Sequence, residues 1–78
     1  MEKNMENPVV QIQKRIGAAN RVEFAKKTGI GYATLYALQN GCPASMSMKT
    51  AERLSLHAQK SPSELQHAYR KWRKQQQE

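Results

Sequence analysis

Tyr32, Ala33, Tyr36, Ala37 and Asn40 recur at spacings of three and four residues, which gathers them on one face of a helix at about 100° per residue. That face carries no charge. Its phenol and carboxamide groups donate and accept hydrogen bonds, and its two alanine methyls permit close approach, as a helix lying in a DNA major groove requires. Ala33 or Ala37 can pack on a thymine methyl, and Tyr32 and Tyr36 can bond a base edge or a phosphate. For the tyrosines, partial packing against neighbouring side chains is the competing reading. Gly31 and Thr34 belong to the same candidate set, in the first turn, where free N–H groups and the positive end of the helix dipole favour phosphate. Arg21 and Asn40 are placed to set register on the backbone.

Two helices must hold that face. Asn20 is a good cap and Glu23, three residues on, can reach back to the cap's own N–H, so a capping box starts a helix at Arg21 and carries it to Thr28. Gly29 then suits a left-handed turn and Ile30 pins that turn to a core. A second helix runs from near Gly31 to Asn40, where Gly41 and Pro43 end it. Phe24, Ala25, Thr28, Ile30, Leu35 and Leu38 face one shared core if the helices cross steeply, and small Ala25 lets them approach.

The order Ala25, Gly29, Ile30, Leu35, Leu38 resembles the helix-turn-helix pattern of the lambda repressor and Cro superfamily. Gly-Ile-Gly-Tyr-Ala-Thr-Leu-Tyr-Ala-Leu-Gln-Asn-Gly, residues 29–41, is similar to the lambda-repressor recognition region in particular. The resemblance implies an all-α, compact five-helix lambda-repressor-like domain that binds a double-stranded DNA operator. It also implies that the loop after the motif runs along the DNA backbone, where Ser45, Ser47 and Lys49 can donate to phosphate. Repressors of this kind often have Gln at the first position of each motif helix, where this chain has Arg21 and Tyr32, so no operator sequence is implied. A chance pair of helices with a glycine turn is the competing reading.

Length and charge bound the alternatives. A chain of 78 residues builds one small domain with no second core, and leaves no room for a catalytic domain beside the motif. Thirteen Lys and Arg against 6 Asp and Glu give a net charge of +7 and a pI near 9.9, which favours a polyanionic partner. No apolar run approaches the ~18 residues of a spanning helix and no secretory apolar stretch follows the N-terminus, so no membrane association is expected and a cytoplasmic location is. Cys42 stands alone, without metal-ligand spacing to His57 or His67, and reads as a loop thiol. No cofactor and no metal are expected.

Around the motif, residues 1–7 are polar and read as a flexible lead, with Asn7 as cap and Pro8 at N1 marking the start of order. Val9, Ile12 and Ile16 then predict a helix near 8–17. Ser47 caps a helix near 48–58, with Met48, Ala51, Leu54, Ser55 and Ala58 toward the core and Met48 as core filler; for Ser47, capping takes precedence over phosphate contact. Ser61, Pro62 and Glu64 make a capping box for a last helix near 62–75, and 76–78 read as a frayed tail. The domain thus spans 8–75 with its motif at 21–40.

Leu65, Ala68, Tyr69 and Trp72 stack on one face of that last helix and offer more apolar surface than a peripheral helix needs. Leu65, Tyr69 and Trp72 are therefore candidates for a homodimer interface on DNA, against the competing reading that Trp72 closes the protomer's own core. Two function classes follow. The first is a small phage- or plasmid-type, Cro-like repressor that regulates transcription by occupying an operator, with no larger C-terminal domain and no self-cleavage switch. The second is a protein-interaction module of the same fold, antitoxin-like or a modulator of another regulator, that uses the last helix and its basic run Arg70, Lys71, Arg73 and Lys74. Nothing in the sequence pairs carboxylates, assembles a nucleophile with a base, or cradles phosphate in a glycine loop, so no enzyme is expected.

Overall fold

Short polar side chains that can bond a first turn's free N–H groups stand before four of the five helices among the described residues. The structure is a computed structural model that describes residues 6–76. Its helices are α1 (Pro8–Arg15), α2 (Arg21–Thr28), α3 (Tyr32–Asn40), α4 (Met48–Ser55) and α5 (Pro62–Gln76), with no strand among the described residues. The chain is a compact all-helical domain. None of its described helices is long and apolar enough to cross a membrane.

α1 begins as Asn7 and Pro8 predict: Asn7 Oδ1 accepts from the Val9 N–H at 2.8 Å. Asn7 nevertheless does not belong to a flexible lead. It is buried, and its Nδ2 donates to the Leu38 carbonyl at 3.0 Å and to the Gln39 carbonyl at 3.1 Å. One carboxamide thus satisfies a donor at the start of α1 and two carbonyls at the end of α3. The Glu6 carboxylate lies 2.6 Å from Lys14 Nζ, a hydrogen bond that lowers the Glu6 pKa. The expectation of flexible or frayed ends otherwise falls on residues 1–5 and 77–78, outside the described residues. Residue 76 closes α5.

α1 stops at Arg15 rather than at residue 17, because Gly17 takes φ +73° and breaks the helical run. α4 stops at Ser55 rather than at residue 58. There the His57 N–H donates to Leu54 and the Ala58 N–H to Ser55, so the chain tightens from i−4 to i−3 bonding. The α2 capping box forms one residue off its expected register: Asn20 Oδ1 accepts from the Glu23 N–H at 3.0 Å, but the Glu23 carboxylate reaches the Ala19 N–H at 2.7 Å, not that of Asn20. The α5 box is reciprocal as predicted, Glu64 to the Ser61 N–H at 2.8 Å and Ser61 Oγ to the Glu64 N–H at 3.2 Å.

α2 and α3 meet at the expected turn. Gly29 takes φ +74° and its N–H closes on the Ala25 carbonyl at 2.8 Å. Buried Thr28 donates to the Phe24 carbonyl and accepts from the Ile30 N–H, and Ile30 enters the core. Phe24, Leu35, Leu38, Ala51, Leu54, Leu65 and Tyr69 join Val9 and Ile12 there, and Ala25 packs at its edge. Met46, not Met48, fills the core: Met46 is 1% exposed and Met48 45%. The loop path before Ser47 turns Met46 inward, while Met48, in the first turn of α4, faces solvent.

α5 lies along α4 and across α1, and its apolar stripe is used inside the protomer. Leu65 and Tyr69 are fully buried, and Trp72, 6.0 Å from the Tyr69 ring, packs against the core edge. Of the expected interface residues, Leu65 and Tyr69 are therefore taken up inside the protomer, whereas Trp72 stays partly exposed. The loop after α3 folds back onto this face and covers it, as the Tyr69 hydroxyl bonded to the Pro43 carbonyl at 2.8 Å demonstrates.

Candidate nucleic-acid interface

Among the described residues α3 is the one helix that starts without a side-chain cap, on Gly31, so its first-turn N–H groups stay available to an anion. Leu35 and Leu38 anchor its inner face in the core. On the outer face Tyr32 and Tyr36 are each about half exposed, Ala33, Thr34 and Asn40 are exposed, and Ala37 is half-buried. The two phenol rings run nearly parallel, 9° apart in plane, with centroids 6.5 Å apart. They form a single aromatic surface rather than two independent side chains.

Arg21, at the first position of α2, is drawn onto that surface. Its guanidinium carbon lies 4.7 Å from the Tyr36 ring centroid and 5.9 Å from that of Tyr32. Nε donates to Gln39 Oε1 at 2.6 Å and Nη1 to the Tyr32 hydroxyl at 3.4 Å, while Gln39 Nε2 donates to Gln13 Oε1 at 2.7 Å. Arg21 is thus held at the edge of the α3 face, with Nη2 alone lacking an acceptor among the described residues. Gln13 and Gln39, which sequence reasoning left without a role, orient it from α1 and α3. The legible signal was the spacing of Gln39 from Tyr32 and Tyr36, seven and three residues on along the same helix.

The remaining candidates fall along two shallow grooves that share Thr34. Ala33, Thr34, Ala37 and Ser45 line one, between α3 and the loop that follows it. Gly31, Thr34, Lys49 and Arg53 line the other, at the start of α3. Arg53 donates to the Gly29 carbonyl and so clamps α4 to the α2–α3 turn. Ser47 is committed to capping α4, accepting from the Thr50 N–H at 3.2 Å, whereas Ser45 and Lys49 are exposed. Asn40 sits at the far end of α3, apart from the Arg21 cluster and from both grooves.

Comparisons with protein-family models, with curated proteins and with solved structures give no match to this chain.

Proposed function

We propose that this chain is a sequence-specific double-stranded DNA-binding regulator of transcription, with a helix-turn-helix domain of the lambda-repressor type in which α3 is the recognition helix. The observation that carries this reading is the α3 face: an exposed, uncharged surface of stacked Tyr32 and Tyr36 edged by Arg21 and flanked by Ala33 and Ala37, on a chain of net charge +7. In this reading Tyr32, Ala33 and Tyr36 meet base edges and Ala37 a thymine methyl. The start of α3 at Gly31 and Thr34, the free Nη2 of Arg21, Asn40, Ser45 and Lys49 take the backbone. One such helix reads too few base pairs for useful specificity, so two protomers bind half-sites about 34 Å apart as a homodimer. With Leu65 and Tyr69 inside the protomer, the two-fold contact lies elsewhere on the surface.

Selection from random duplex DNA tests the reading. The expected result is an enriched two-fold sequence, bound with a log K against log salt slope of roughly −4 to −5 if about 4–6 phosphates are neutralised per protomer. Recovery of no enriched sequence would favour the protein-interaction class. That class loses support from the burial of Leu65 and Tyr69, which leaves Ala68 and Trp72, both partly exposed, as the apolar remainder of its proposed docking stripe.

On the selected site, Tyr36→Ala is expected to cost about 1–3 kcal/mol, with little effect on random DNA. Equal losses on both would reassign Tyr36 from base reading to holding Arg21 for a phosphate.

A further inference from the structure

The loop between α3 and α4 has no secondary structure of its own, yet three side chains of α5 fasten it along its length. Gln66 Nε2 donates to the Met46 carbonyl, the Tyr69 hydroxyl to the Pro43 carbonyl and Arg73 Nε to the Gly41 carbonyl, each at 2.8 Å. Positions 66, 69 and 73 share one stripe of α5, and their acceptors run in the opposite chain direction, so the loop lies antiparallel along the helix. Trp72 closes the end of this ladder over Gly41. While these carbonyls are taken up, the N–H groups of exposed Ala44 and Ser45 have no acceptor among the described residues. Ser45 also lines the groove shared with α3.

We infer that Gln66, Tyr69 and Arg73 are positioning residues for a preformed phosphate-binding loop. They touch no DNA themselves; they hold residues 41–46 so that the Ala44 and Ser45 N–H groups meet a duplex phosphate beside the α3 face without an ordering cost at binding. The inference rests on the DNA-binding reading above and adds to it that α5, remote from the bases, sets affinity without altering sequence preference.

The test is the charge-neutral double variant Gln66→Met with Tyr69→Phe, which removes two rungs and keeps the Tyr69 ring in the core. Two results are expected: an affinity for the selected duplex lower by about tenfold and an unchanged base preference, with the salt slope kept because no cation is removed. Backbone order parameters at residues 44–46 should also fall from near the rigid value of about 0.85 toward about 0.6 in the free protein. A merely structural role for these side chains would move the melting temperature but leave the duplex affinity, measured well below that temperature, unchanged. A parent that binds duplex, with a double variant that matches its affinity, overturns this inference alone. A parent that binds no duplex overturns the DNA reading with it. Should the double variant fail to fold, Gln66→Met alone, at a half-buried position, carries the same test with a smaller shift.

Discussion

Tyr69→Ala is expected to cost about 3–5 kcal/mol of folding stability, the range for removing a buried aromatic ring. Tyr69 is 0% exposed, touches Trp72 and bonds Pro43, so its loss opens a cavity and frees the loop together. For a chain of 78 residues that is a large share of a total stability of roughly 0.05–0.15 kcal/mol per residue. Tyr69→Phe keeps the ring and removes one hydrogen bond, at about 0.5–1.5 kcal/mol. The two variants also differ from the parent with pH. Burial raises the Tyr69 phenol above its ordinary value of 10.0, against a smaller opposing effect of Arg73. The folded state therefore holds that proton more tightly than the unfolded chain does. This contribution is fully present below the unfolded pKa and is lost as pH rises through the folded one. Urea unfolding at neutral and strongly alkaline pH measures it: the parent loses more stability than Tyr69→Phe on the alkaline side. An equally steep loss in both would assign the effect to other groups.

Gly41→Ala is the second large effect. Gly41 takes φ +75°, and a Cβ there would lie 3.0 Å from Cζ3 and 3.1 Å from Cη2 of Trp72. Left-handed backbone costs a residue with a Cβ about 1–2 kcal/mol, and crowding a packed ring adds about 1–3 kcal/mol. Gly17→Ala separates the two, since Gly17 takes φ +73° with nothing within 4 Å of the added methyl and carries the backbone cost alone. Adding Trp72→Leu to Gly41→Ala should recover the crowding share and leave the backbone share, a coupling that a double-mutant cycle reads directly. Equal costs at Gly17 and Gly41 would mean that Trp72 does not rest on the α3 terminus.

The sequence by itself determined whatever depends on partners a few residues away. Asn7, Asn20, Ser47 and Ser61 start helices because each side chain bonds an N–H two or three positions on, and Gly29 and Gly41 end them because only the local backbone is involved. The alternation that buries Leu35 and Leu38 and exposes Tyr36 follows from helical period alone. Tertiary structure decided everything that required knowing where the loop after α3 goes. Folded back on α5, it covers Tyr69, which a stripe pattern cannot distinguish from an open interface, and it selects Met46 over Met48 for the core. The same holds for Asn7, whose carboxamide closes on Leu38, 31 positions away, and for Arg21, which Gln39 and the tyrosine rings turn from a free cation into part of the α3 face. Side-chain type and helical period state what a residue can bond. Only the path of the chain brings the distant partner within reach.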